Sequence, residues 1–552
     1  MIAPHETVLP PDILPVVFMS GSDYEMGFQY GQQAAPYIDQ VKVMAWANIL
    51  RKFERTDVLF ALKSNLFYVR KYTPECINMM EGMADGVNSE GYSLTFEDVL
   101  LLNSFMERQS GLAKPGDDDY PREINEEEVA TKGCSVCSAW GRATVDGRLI
   151  GVDCVDLIEP IFALVLVVYP DNGNNYMCVT RAGSLSDHFI MNNKGLYVGN
   201  SGGGQSPRSE DFNYGLNWSN TLSHMVRYAN TAREAREMIT SWQINIGENF
   251  HIVDVRGNGG VVEKTASIQA VRMSGDFDEE DFLFSTNTFL SPQMGVTKEG
   301  DFASPHSGFG PYSQARNMML WDMLHNYKGY IDLQFMKMLL RFPDEKPEGW
   351  NAKICRYSNA WVVVVVPDDG DEGVAHICTG SAAHPANNSR VDEKEGFSES
   401  QANIFSTTAF ASVNGTRTFY QLKLSANPEN VVTEARHAAK EDIGRAYETI
   451  KGVGYSDMEY AALNEIYATA HSEYEQGMIL MDKAFLADGN ESLALYGKAA
   501  TGFTRAQAHA NQVVETIVPQ PRTPTDLGLK PFAGDWAKWE TDETSLGGST
   551  KM

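Results

Sequence analysis

Three observations predict an α+β fold for this 552-residue chain. The first third has helical spacing, the middle is a succession of short β-branched segments separated by turn residues, and a long helical pattern closes the chain. Residues 24–53 carry apolar side chains at mixed spacings of three and four, the mark of an amphipathic helix. Residues 95–106 open with Thr95, followed three positions later by Asp98, close to a capping box. Residues 113–132 then lose their apolar content and gather acids (Asp117, Asp118, Asp119, Glu123, Glu126, Glu127, Glu128) around Pro115, Gly116 and Pro121, which reads as an exposed linker.

From Cys134 the texture changes to strands, predicted at 134–144, 148–157, 162–169, 176–182 and 195–199, with turn chemistry at Asp146-Gly147 and at 171–174. A helix is predicted over 220–242, then strands at 251–255 and 260–265 joined by Arg256-Gly257-Asn258-Gly259, and another at 282–286. Helices resume at 313–327 and 332–340. A strand pair at 360–366 and 373–378 flanks an acidic turn, a helical tail covers 433–516, and the stretch from 519 reads as loosely ordered. The division this implies is a helical segment over 1–133 that ends in the linker 113–132, a core over 134–430, and a helical extension over 431–552.

A formal charge of −28 repels a phosphate backbone, so nucleic acid is excluded as a partner. Seven cysteines in so long a chain form no dense disulfide framework, and free thiols are expected. The first twenty residues hold Pro10, Pro11 and Pro15 and no cationic lead into an apolar run, so no secretory signal is read and a cytoplasmic protein is expected. The longest apolar run, 161–169, is far short of the roughly 20 residues a bilayer span needs.

Chemistry concentrates where the linker meets the first strand, at Gly133-Cys134. A thiol at the head of a strand, preceded by a residue without a side chain, is placed to attack its own upstream carbonyl. Hydrolysis of the resulting thioester would leave Cys134 as a new N-terminus. Its freed α-amine, with a reference pKa of about 7.7–8.0, would serve as local base for the thiol. Spacing alone leaves the ordinary alternative open, since a free cysteine also packs as a small hydrophobe.

The stretch Cys134 to Asp156, with Cys134-Ser135, Ala139-Trp140-Gly141, Asp146-Gly147 and Asp156, resembles the start of the mature chain in cysteine N-terminal-nucleophile (Ntn) hydrolases. The nearest likeness is to the acyl-CoA:6-aminopenicillanate acyltransferase, or peptidase-C45-like, family. In the Cys-Ser-x-x-x-Ala-Trp-Gly pattern the stretch also resembles phospholipase-B-like proteins, and bile salt (choloylglycine) hydrolases and penicillin V acylases are similar more distantly. Further likenesses follow in order: Ser20-Gly21-Ser22-Asp23-Tyr24-Glu25-Met26-Gly27 with Tyr30-Gly31, then Met191-Asn192-Asn193-Lys194-Gly195-Leu196, then Val253-Asp254-Val255-Arg256-Gly257 with Glu263, then Asn287 and Arg316.

The resemblance implies a four-layer αββα sandwich, self-cleavage between Gly133 and Cys134, and attack of Cys134 on a linear amide through a thioester, ended by hydrolysis or acyl transfer. It assigns Asn287 and Asn200 to the oxyanion, Asp156 to the new α-amine, and Arg316 to the thiol environment or substrate. It further implies a small acyl-amide substrate and no cofactor or metal; the helices ahead of Cys134 are apolar enough to need burial, which favours a cleaved segment that stays bound as a heterodimeric protomer. One departure is plain: where relatives often have Gly-Arg-Asn-x-Asp, this chain has Val152-Asp153-Cys154-Val155-Asp156.

Two other function classes remain. Cys134 and Cys137 have the Cys-x-x-Cys spacing of redox pairs and zinc half-sites, although residues three apart on a strand face opposite ways. A relative that binds a ligand or partner without processing would remain an uncut chain of 61.2 kDa.

Overall fold

The computed structural model describes residues 13–50, 53–104, 134–156, 162–202, 215–245, 247–297, 310–342, 354–355, 359–382, 418–452 and 457–531, except residue 246 and some helix-end side chains. The acidic linker and Gly133 lie outside these residues.

The chain opens with strand β1 (Val16–Gly21) and helix α1 (Asp23–Ile49). Ser22 caps α1 in a reciprocal box: its hydroxyl accepts from the Glu25 N–H and the Glu25 carboxylate accepts from the Ser22 N–H. Helices α2 (Arg55–Tyr72), α3 (Glu75–Ser89) and α4 (Phe96–Ser104) follow, α4 opening on the Thr95 and Asp98 box read from the sequence. α1 and α3 cross at glycines. A Cβ on Gly27 would lie 2.0 Å from the Met79 carbonyl oxygen, so no other residue permits this approach.

Two sheets form the centre. The first has the order β1, β4 (Ala163–Pro170), β5 (Tyr176–Arg181), β6 (Phe189–Asn192), β7 (Leu196–Gly202), β8 (Glu248–Asp254), β9 (Gly260–Lys264) and β10 (Gln269–Met273). β1 runs parallel to β4 and the other neighbours are antiparallel. The second sheet has the order β11 (Phe282–Ser285), β2 (Ser135–Ala139), β3 (Ile150–Asp156), β12 (Asn359–Val366), β13 (Val374–Thr379) and β14 (Phe419–Lys423), antiparallel throughout.

Alternation along the strands sorts side chains into layers. Leu164, Leu166 and Val168 of β4 pack under α1 to α4 and under α5 (Trp218–Tyr228) and α6 (Ala232–Ser241). Val165 and Val167 face the second sheet, meeting Val136, Val155 and Val363. The outer face of the second sheet, with Cys137, Val152 and Val364, packs on α7 (Gly310–Asn326) and α8 (Leu333–Arg341). The result is the αββα sandwich expected from the resemblance.

The C-terminal helices α9 (Pro428–Lys451), α10 (Asp457–Leu486) and α11 (Gly489–Ile517) answer a physical need, because β1 and β14 are sheet edges with unpaired backbone groups. On α11, Thr501 accepts from the Val16 N–H at 2.9 Å, Gln507 from the Gln421 N–H at 2.9 Å, and Asn511 donates to the Phe419 carbonyl at 2.9 Å. From the other side Gln29 and Gln33 of α1 pair with the backbone of Ser20 and Phe18.

The elements differ from the sequence-based expectation in a few places. The segment ahead of Cys134 contributes strand β1 as well as helices, since Val16 to Met19 alternate between two buried faces. The helix expected at 220–242 is two, broken where Thr231 caps a new N-terminus. Strands β6, β10 and β14 are additional to those read from the sequence pattern. No described helix is long and apolar enough to cross a membrane.

Candidate active site

Cys134 stands at the head of β2 and is 4% exposed. Its side chain belongs to the layer between the sheets, whereas Cys137 faces the outer helices. The pleat therefore separates the two thiols of the Cys-x-x-Cys spacing. Among the described residues no group of three or more His, Cys, Asp or Glu is arranged to hold a metal.

Arg316, fully buried on α7, organises the site. Its Nη1 donates to the Cys134 carbonyl and to Ser135 Oγ, both at 2.7 Å, and its Nη2 to Asn287 Oδ1 and Ser313 Oγ, both at 3.1 Å. With its oxygen held by the guanidinium, the Asn287 amide turns its N–H2 group away from Arg316. A Cβ built on Gly202 would lie 3.6 Å from that nitrogen, so β7 leaves room beside it. The Asn287 loop is itself pinned. Asn249 donates to the carbonyls of Thr286 at 2.8 Å and Thr288 at 3.3 Å, Ser201 donates to Thr286 at 2.8 Å, and the Glu263 carboxylate accepts from the N–H groups of Leu290 and Ser291. This gives Glu263, singled out in the sequence, a positioning role.

Asn200, on β7, is fully buried with neither amide atom hydrogen-bonded. A buried amide left so costs about 1–3 kcal/mol per unmet group. Asp156 closes β3 opposite Asn359, and its side chain lies outside the described residues. A carboxylate of β3 that is fully buried is Asp153, opposite Val136. Burial pushes its carboxyl up to about 7, and Asp187 adds to this while His188 and the Asn200 N–H oppose it.

That shift has a stability consequence. An unfolded Asp releases its proton near 3.9, so between about pH 4 and about pH 7 only the unfolded state gains from ionisation; the carboxyl then costs on the order of 4 kcal/mol above pH 7 and nothing below pH 4. Asp153→Asn is expected to raise the urea midpoint relative to wild type at pH 8 and to leave it unchanged at pH 4. Equal midpoint shifts at both pH values would contradict this.

Sequence reasoning missed a histidine. His188 lies just before β6 and is 3% exposed. Its Nδ1 pairs closely with Asp187, which also accepts from Arg181 Nε at 3.0 Å and Trp218 Nε1 at 3.2 Å. Burial works against a charged imidazole, but Cys134 and Asp187 together outweigh it and lift His188 well above the usual histidine range. The one local signal is the Asp187-His188 pair between two strands.

The loop carrying this pair is held from the N-terminal segment. Tyr30 Oη donates to the carbonyls of Arg181 and Ser184 and accepts from the Gly183 N–H. Asn103 donates to the Gly183 carbonyl at 2.8 Å and accepts from the Leu185 N–H at 2.9 Å. The motif containing Tyr30 and Gly31 thus acts at a distance, through helix packing and this loop. The Asn192 and Asp254 motifs shape hairpins: Asn192 Oδ1 accepts from the N–H groups of Lys194 and Leu196, and Asp254 Oδ1 from those of Arg256 and Asn258.

No family model matches the chain. An uncharacterized protein of Archaeoglobus fulgidus is 25% identical over 308 aligned residues, covering 50% of this chain and 51% of that protein. The chain thus spans about half the length of the curated relative it matches. Similar solved structures include the Caenorhabditis elegans ortholog of N-acylethanolamine-hydrolyzing acid amidase, at 13% identity and TM-score 0.30, covering 42% of this chain and 93% of that one. A point mutant of the conjugated bile acid hydrolase from Clostridium perfringens matches at 13% identity and TM-score 0.30, over 44% and 88% of the two chains. Penicillin V acylase from Agrobacterium tumefaciens matches at 10% identity and TM-score 0.27, over 53% and 92%. At these values no activity, substrate or residue role transfers to this chain.

Proposed function

We propose that this chain is a cysteine Ntn hydrolase that cleaves itself before Cys134 and then cleaves a linear amide, or transfers its acyl group, through a thioester on that cysteine. The observation that carries this is the Arg316 guanidinium, which in one buried cluster grips the Cys134 carbonyl, Ser135 and the oxygen of Asn287. A structural cysteine at a strand head needs no such support.

In the proposed reaction Cys134 Sγ attacks the amide carbonyl, and the freed α-amine of Cys134 accepts the thiol proton and returns it to the leaving amine. The oxyanion is met by the N–H2 of Asn287, with Asn200 as second donor. Either water or an amine then takes the acyl group. The substrate is a small acylated amine, and the N-terminal segment stays bound after cleavage, because β1 is part of the first sheet and Tyr30 and Asn103 hold the site loop.

Intact mass with N-terminal sequencing tests the first step: the wild type should yield a chain beginning Cys134-Ser135-Val136, and an uncut chain would reject self-cleavage. A panel of acyl amides assayed for released amine tests the second. Asn287→Ala is expected to lower kcat on a responsive substrate by about 10²- to 10³-fold, the usual loss of one oxyanion donor. A change confined to KM would place Asn287 in substrate binding instead.

A further inference from the structure

Helix α2 presents a face whose composition runs against that of the whole chain. Its inner side is core, where Val58, Ala61, Leu62, Leu66 and Val69 are buried in the helical layer. Its outer side exposes Phe60 by 66% and Phe67 by 63%. Seven residues are almost two full turns, so the two rings project from the same side of the helix. The positions three and four further on, which flank each ring, are Lys63, Ser64, Arg70 and Lys71.

α2 as a whole holds four cations, Arg55, Lys63, Arg70 and Lys71, against the single acid Asp57, in a chain whose formal charge is −28. Among the described residues Lys63, Arg70 and Lys71 form no ion pair. Lys71 lies over the Tyr72 ring at 4.7 Å, and Arg55 over the Trp46 ring of α1 at 4.1 Å, which fixes the start of α2 against its neighbour.

We propose that this face of α2 is the docking surface for an anionic lipid membrane, on which the helix lies in the interface plane with Phe60 and Phe67 inserted among the headgroups. The proposal goes beyond the reaction at Cys134 and does not depend on it.

Two arguments select a membrane over a protein. Phenylalanine flanked by Lys and Arg is the side-chain chemistry of an interfacial helix: the rings enter the apolar boundary, while the long basic side chains carry their charges back to the lipid phosphates and carboxylates. The second argument is area. An 18-residue helix is about 27 Å long and about 10 Å wide, so the face offers roughly 300 Å². A stable protein interface takes about 800 Å² from each partner, and a second copy of this chain would cover far too little here. The charge of −28 does not oppose the contact, because charges farther from the lipid than a Debye length of about 8 Å are screened at physiological ionic strength.

Co-sedimentation of the full-length protein with phosphatidylcholine vesicles containing about 30% phosphatidylserine tests this. The wild type should bind, and pure phosphatidylcholine or about 0.5 M NaCl should weaken binding at least about tenfold. Phe60→Ser with Phe67→Ser should weaken it by about 10- to 100-fold, through the loss of two inserted rings. Lys63→Gln with Arg70→Gln should weaken it by about 25-fold, about fivefold for each cation near an anionic surface. All four side chains are exposed, so the melting temperatures should match wild type. If either pair melts early, the single changes Phe67→Ser and Arg70→Gln carry the comparison.

Cys134→Ala should bind vesicles like the wild type, which separates this proposal from the fate of the proposed chemistry. Wild-type binding by both α2 pairs, or no binding of the wild type to anionic vesicles, would overturn it. So would a concentration-dependent dimer, seen by analytical ultracentrifugation in a protein that ignores vesicles and abolished by Phe60→Ser with Phe67→Ser, which would make a second copy the occupant.

Discussion

Cys134→Ala is expected to leave a single uncut chain of 61.2 kDa with no measurable amide turnover, and yet a melting temperature close to wild type. The two halves of this result have separate causes. Self-cleavage and amide attack both need a sulfur lone pair at one position, and alanine has none. The side chain contributes little to the core in exchange: it is one small group among the apolar residues between the sheets, and replacing a buried sulfur with hydrogen costs on the order of 1 kcal/mol. Denaturing electrophoresis, released-amine assay and a thermal melt on one preparation read all three quantities. A strong loss of stability with unchanged cleavage elsewhere in the chain would make Cys134 a structural residue and nothing more.

Arg316→Met should have the second largest effect and, unlike Cys134→Ala, should damage fold and chemistry together. The substitution leaves the Cys134 carbonyl, Ser135, Asn287 and Ser313 without their shared donor in a region closed to water. Unmet buried acceptors cost about 1–3 kcal/mol each, so a net loss of about 3–5 kcal/mol is expected after relaxation. Turnover should fall by at least about 100-fold, because the strand head that carries the thiol and the amide that meets the oxyanion lose their common anchor. Arg316→Lys separates charge from geometry. A compact ammonium keeps the charge but cannot serve four acceptors spread around a planar fork, so it should recover part of the stability and little of the turnover. The urea midpoint and kcat of the two variants decide the matter; wild-type values for both in Arg316→Met would remove Arg316 from the site.

Asn287 and Arg316 are named from the sequence because they recur in a familiar order, and the fold unites them through a direct hydrogen bond. Asp156 is named by the same logic and closes β3 opposite Asn359, while Asp153, three residues earlier on β3, is a buried carboxylate to which the sequence reading gives no role.

What the sequence determined by itself is what local periodicity and local chemistry can encode: helices before and after a block of strands, the capping box at Thr95, and a cysteine at the junction of an acidic linker and a strand. Only the tertiary structure decided that Arg316 joins the Cys134 carbonyl to Asn287, that Tyr30 and Asn103 hold the loop carrying Asp187 and His188, and that α11 covers an edge of each sheet. These contacts join residues far apart in the chain, and a pattern of period two or 3.6 carries no information about which distant face a side chain will meet. Burial supplies it, because each polar group enclosed between the layers must find its partner among whatever the fold brings there.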